Sequence, residues 1–132
     1  MSTVTATWRG NYRVDVQART FGFRVDQPPD FKGEDTGLMP TEALLASLAA
    51  CLCQAIVHLG RKSGIELPDL VVTASGKKDY ANFLFPEMEI SVESSLERGQ
   101  LERLVEESKR VCFVSNTLTK GCPIQVRISG RS

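Results

Sequence analysis

The feature that most constrains this chain is the apolar stretch Ala43–Leu59, 17 residues broken by polar side chains only at Ser47, Gln54 and His58. That is short for a membrane span, which needs about 20 apolar residues, so the stretch is expected to be a buried helix. Pro40 suits a first helical turn, where its missing N–H is an orphan position anyway. From there the helix is expected to run to about Lys62 and to end at Ser63-Gly64. Leu45, Leu48, Leu52 and Ile56 make one apolar row; Leu44, Ser47, Cys51 and Ala55 make another. Two rows with alanines between them demand cover on more than one side. One domain offers one or two sheets for that purpose, and a second copy of the same helix would bury what remains. A homodimer is therefore expected.

The 132 residues suit one domain, residues 1–132, with a modest core. Residues 3 to 26 alternate apolar and polar in three stretches, carried by Val4, Ala6 and Trp8, then Tyr12, Val14 and Val16, then Phe21, Phe23 and Val25. Period two with β-branched and aromatic side chains predicts strands with one buried face, and Gly10-Asn11 predicts a hairpin turn. Residues 27 to 39 hold two prolines and two glycines and read as a loop. Beyond the helix, 70–77 and 88–92 read as strands, 96–111 as an amphipathic helix and 112–118 as a short second helical piece. Residues 123–129 alternate again and are expected to close the chain as a strand. The predicted order, βββ-α-ββ-α-α-β, is an α+β fold.

Lys plus Arg and Asp plus Glu both number 16. That balance argues against a nucleic-acid partner, which calls for a basic surplus on one face, and leaves little charge repulsion to oppose self-association. The opening Met1-Ser2-Thr3-Val4 has no basic region followed by an apolar core, so no export signal is expected. The four cysteines, 51, 53, 112 and 122, are accordingly expected in the reducing cytoplasm, where permanent disulfides are rare.

Read singly, Cys51 in mid-helix is first a small buried hydrophobe. Cys112 stands at the start of a predicted helix, whose exposed N–H groups would stabilise a thiolate and lower the thiol pKa; a small capping residue is the other reading. Cys53 is rotated about 200° from Cys51 around the helix, so the two face apart and cannot share a metal ion. Cys122, between Gly121 and Pro123, has no visible partner, and both are read as structural. His58 lies about 10 Å along the axis from Cys51, too far for the roughly 3 Å of direct proton transfer. No Gly-rich phosphate loop exists, and no cofactor or metal ion is expected.

Two segments then carry a resemblance. Gly37-Leu38-Met39-Pro40-Thr41-Glu42-Ala43-Leu44-Leu45-Ala46-Ser47-Leu48-Ala49-Ala50-Cys51 resembles the G-x-x-P-x-E-x-L-L-x-x-L-x-x-C helix of the OsmC/Ohr family. Cys112-Phe113-Val114-Ser115-Asn116-Thr117-Leu118 is similar to that family's C-P-V-S-N-x-L. The likeness covers nearly the whole chain. It implies a long central helix packed by sheets in an intertwined homodimer. It also implies thiol peroxidase chemistry on a small hydroperoxide, with Cys51 attacking the O–O bond, Cys112 resolving the sulfenic acid as a disulfide, and an external dithiol restoring both.

Three positions depart from the family pattern. The residue after the helix-opening proline, a glutamate paired with a catalytic arginine in the Ohr and OsmC branches, is Thr41 here, and Glu42 follows; the P-x-E order resembles a different branch. Glu42 lies about 180° around the helix from Cys51 and is placed to cap the helix N-terminus. Phe113 replaces the usual proline. Arg9 and Arg13 flank the first hairpin where the family's arginine falls, and either cation near Cys51 would favour the thiolate. The expected activity is hydroperoxide reduction. The rival from another class is an OsmC-like module that binds a small apolar ligand at the dimer interface, its cysteines vestigial.

Overall fold

The computed structural model describes residues 1–130. They form two compact units, one of Met1–Ser47 and one beginning at Leu48.

The first unit is an antiparallel meander of β1 (Thr5–Trp8), β2 (Val14–Ala18) and β3 (Phe21–Val25). Its register pairs Trp8 with Val14 and Val16 with Phe23. The Gly10-Asn11 turn is present, with φ of 101° and 48°, and the Arg9 N–H closes it on the Arg13 carbonyl at 2.8 Å. The second turn uses Arg19 at φ 56°. The expected buried face is a correction: Trp8, Phe21 and Phe23 are all exposed, and only Val25 is buried. A three-stranded meander has two faces, and within this unit no helix lies along either for its aromatic side chains to pack upon.

What orders the following loop is Asp26, 1% exposed. Its carboxylate accepts from the backbone N–H groups of Gln27, Glu34 and Thr36 and from the Thr36 hydroxyl at 2.6 Å. These bonds, the Thr36 hydroxyl foremost, hold its pKa down at about 2. A short 3-10 turn, Pro29–Phe31, lies inside the loop. The Asp26 N–H donates to the Leu38 carbonyl at 2.9 Å, bringing Val25 and Leu38 into a parallel bridge. Gly37 sits so close to the Arg24 carbonyl that a Cβ there would overlap it. The loop thus delivers the chain to α1 along β3.

Helix α1 spans Pro40–Lys62, and Gly64 at φ 70° ends it. By length and composition it could cross a bilayer. In the second unit, however, Leu52 and Ile56 are 2% and 0% exposed in a cluster with Leu104 and Cys112, the position of a core helix. β4 (Val71–Gly76) and β5 (Met88–Glu93) pair antiparallel and add Val72, Ile90 and Val92 to that cluster. Full burial of such side chains stabilises by about 1.5–3 kcal/mol each. α2 (Arg98–Arg110) starts at Glu97, whose carboxylate accepts from the Gly99 and Gln100 N–H groups. After Val111 and Cys112, α3 runs Phe113–Lys120.

The closing strand expected at 123–129 is the second correction. Residues 121–130 have no regular structure, and Ile124, Val126 and Ile128 are 86%, 81% and 90% exposed. A strand exists only through a ladder, and this segment has none among the described residues. The other sequence-predicted elements are present, with ends moved by a residue or two.

Asp26 generates a pH prediction. Its folded-state pKa of about 2 lies below the unfolded value of about 3.9, so its stabilisation is complete above that unfolded value and is lost as pH falls toward 2. Asp26→Asn, which lacks the charge, should be less stable at pH 7 in urea melts, and its deficit should close progressively between pH 4 and 2. A deficit independent of pH would contradict this account.

Candidate thiol site

The site lies wholly in the second unit. α1 carries Cys51 one residue before Leu52, so its half-buried side chain packs at the margin of the core cluster. Cys112 arrives from the other direction, at the N-terminal cap of α3, and is 0% exposed. The structure brings these two thiols together out of four: Cys112 is buried among Leu52, Ile56 and Leu104, and Cys51 interacts with it side chain to side chain. All four cysteines are free thiols.

The electrostatics correct one expectation. Burial pushes the Cys112 thiol above its ordinary range, because a thiolate there would lose its water. The Ser115 N–H pulls it down, the neighbouring Cys51 pushes it further up, and the Val114 N–H again pulls it down. The helix N-terminus does favour a thiolate, but desolvation is the larger effect. Cys112 rests as a thiol.

Cys53 points elsewhere: it lines a shallow groove with Gln54, Val57, His58 and Arg61, as its rotation around the helix requires. His58 is exposed and so is Cys122. Among the described residues no three His, Cys, Asp or Glu side chains gather to hold a metal ion.

The remaining predicted residues belong to the first unit. The Arg9 guanidinium pairs with Asp15 at 3.1 Å, and Asp15 also takes Arg24 at 2.8 Å. Arg13 pairs with Glu34 at 3.0 Å. Glu42 accepts from the Met39 N–H at 2.8 Å, a cap on the first turn of α1. The buried Thr41 hydroxyl has no hydrogen-bond partner among the described residues.

Two polar side chains of the second unit make bonds to which the sequence assigned no role. Ser108, 0% exposed, donates its hydroxyl to the Leu104 carbonyl at 2.7 Å, a polar residue in the buried stripe of α2. Asn116, already within the second motif, donates its side-chain amide to the Arg110 carbonyl at 3.1 Å. A Ser or Asn in a helix has many possible partners, so spacing alone does not single these out.

The sequence profile of the OsmC-like protein family matches residues 33–127, and the chain belongs to that family. No curated protein matches the chain. Among solved structures, the OsmC-like protein of Mycoplasma pneumoniae superposes with TM-score 0.80 at 20% identity, over 90% of this chain and 87% of that one. An organic hydroperoxide resistance protein, OsmC, of Legionella pneumophila gives 0.69 at 21%, over 89% and 88%. The organic hydroperoxide resistance protein OhrB of Bacillus subtilis gives 0.63 at 24%, over 89% of each. These likenesses establish the fold.

The burial difference predicts an order of reactivity. With iodoacetamide at pH 8, peptide mapping should find Cys122 alkylated first, Cys51 later and Cys112 last. Denaturation should bring all rates together. Early labelling of Cys112 in the folded protein would refute the desolvation argument.

Proposed function

We propose that the protein is a thiol-dependent hydroperoxide reductase, and the observation that carries this reading is the side-by-side placement of Cys51 and Cys112 in an otherwise apolar cluster. The relatives named for organic hydroperoxide resistance agree with it. Cys51, half-buried where Cys112 is sealed, is the thiol a substrate meets first. Its thiolate attacks the peroxide O–O bond, giving a Cys51 sulfenic acid and releasing the alcohol once the departing alkoxide takes a proton. The Cys112 sulfur then displaces hydroxide from that sulfenic acid, forming a Cys51–Cys112 disulfide and water. An external dithiol reduces the disulfide and leaves as its own cyclic disulfide. The balance is one hydroperoxide and one dithiol to one alcohol, one water and one oxidised dithiol.

The apolar neighbours Leu52, Ile56 and Leu104 favour an organic peroxide over hydrogen peroxide. A disulfide made and broken in each turnover suits the cytoplasm. Arg9 and Arg13, the candidate cations of the sequence, are each paired with a carboxylate within the first unit. Thr41 followed by the capping Glu42 supports placement in the P-x-E branch rather than the Ohr branch.

The working form is proposed to be a homodimer. Three apolar side chains on a segment without a ladder, and a long apolar helix with Leu44, Ala46 and Ala50 exposed, both call for a second copy. Light scattering at micromolar concentration should give about twice the 14.5 kDa chain mass; a monomer would overturn this part.

Peroxide titration tests the chemistry. One equivalent of cumene hydroperoxide should consume two thiols per chain and yield the Cys51–Cys112 disulfide in peptide maps, faster than hydrogen peroxide does. Cys51→Ser should abolish turnover, and Cys112→Ser should stop after a single oxidation at Cys51. Thiols unchanged by excess of both peroxides would sink the proposal and leave the apolar-ligand module in its place.

A further inference from the structure

Cys112 lies at a two-residue corner; its buried side chain packs in the core, and the corner's backbone must join two helices. α2 ends at Arg110, α3 begins at Phe113, and only Val111 and Cys112 stand between. Val111 at φ −111°, ψ 10° and Cys112 at φ −86°, ψ 104° turn the chain. Of the two side chains only that of Cys112 is anchored, by burial in the core cluster; Val111 is 53% exposed. The last carbonyls of a helix have no intrahelical donor, and the Arg110 carbonyl is one of these. Asn116, in the first turn of α3, supplies the donor: its Nδ2 reaches the Arg110 oxygen at 3.1 Å while its backbone N–H donates to the Cys112 carbonyl at 3.0 Å. One residue therefore grips the chain on both sides of the cysteine.

We infer that Asn116 is a positioning residue for the thiol pair: by tying the end of α2 to the first turn of α3 it holds the Cys112 sulfur beside Cys51. This rests on reading the two cysteines as a redox couple. Forming their disulfide demands Cα atoms within about 7 Å and a defined dihedral, so slack at the corner lowers the effective concentration of one thiol at the other. Asn116 touches neither sulfur nor substrate; it acts through the backbone that carries Cys112.

The test separates this role from ordinary helix stabilisation. Asn116→Asp keeps the shape but removes the N–H donor. Thr119→Ala removes the bonds of the Thr119 hydroxyl to the Ser115 carbonyl at 2.9 Å and the Asn116 carbonyl at 3.3 Å, while leaving the Asn116 side-chain bond to the Arg110 carbonyl in place. Each full-length protein is equilibrated in dithiothreitol redox buffers, and the Cys51–Cys112 disulfide is quantified by peptide mapping beside the melting temperature. For Asn116→Asp the disulfide should be less favoured by about tenfold, about 30 mV for this two-electron couple. Thr119→Ala should match wild type at an equal or larger loss of melting temperature, and Asn116→Gln, which keeps an amide donor, should recover part of the loss. With cumene hydroperoxide, Asn116→Asp should lose the first thiol at the wild-type rate but accumulate Cys51 sulfinic acid. An Asn116→Asp equilibrium equal to wild type, or a Thr119→Ala shift as large as that of Asn116→Asp, would overturn the inference. The redox-buffer arm needs no peroxide. A wild-type disulfide that forms there but not with peroxide would remove the peroxidase reading and leave the role of Asn116 standing.

Discussion

Burial of the Leu52–Ile56 face of α1 is the constraint on which the second unit depends. These two side chains share a cluster with Leu104 from α2, Cys112 from the corner before α3, and Val72, Ile90 and Val92 from the β4–β5 hairpin. The β4–β5 hairpin, α2 and the corner before α3 all contribute to covering that one face. Because protein interiors are packed to crystal-like density, a side chain at the rim of the face is held closely in place. Cys51 is at that rim, next to Leu52, and so the hydrophobic effect that builds the core also locates the thiol.

The same burial shapes the chemistry. Moving Cys112 out of water raises its pKa even at a helix N-terminus, which keeps it a thiol. An exposed thiolate would be open to oxidation in its own right. In the proposed cycle the pair thus divides its labour by solvent access, with Cys51 nearer the surface and Cys112 behind it. The first unit rests on a different principle. There a buried carboxylate, Asp26, gathers backbone N–H groups from a loop with few apolar side chains to bury.

Much of this was legible in the residues. The 17-residue apolar run announced a core helix, and Pro40 and Gly64 marked its ends. The Gly10-Asn11 turn and the alternation around it announced the meander. Helical rotation alone separated Cys53 from Cys51, and the two motifs selected Cys112. The misreadings share a cause. Alternation at 123–129 is a statement about side chains, whereas a strand needs backbone partners that a pattern does not supply. The aromatic residues of β1 and β3 were likewise expected to be covered because they are apolar, but cover depends on what lies opposite.

The sequence by itself determined the fold class, the central helix and the membership of both cysteines in family motifs, because periodicity and local propensity are written residue by residue. The tertiary structure decided that the two thiols are neighbours, since they stand 61 positions apart in the chain and only the shared cluster brings them together. It also decided the sign of the Cys112 pKa shift. A helix N-terminus can be read from neighbouring residues; desolvation comes from atoms supplied by α1 and α2, and at Cys112 it outweighs the helix.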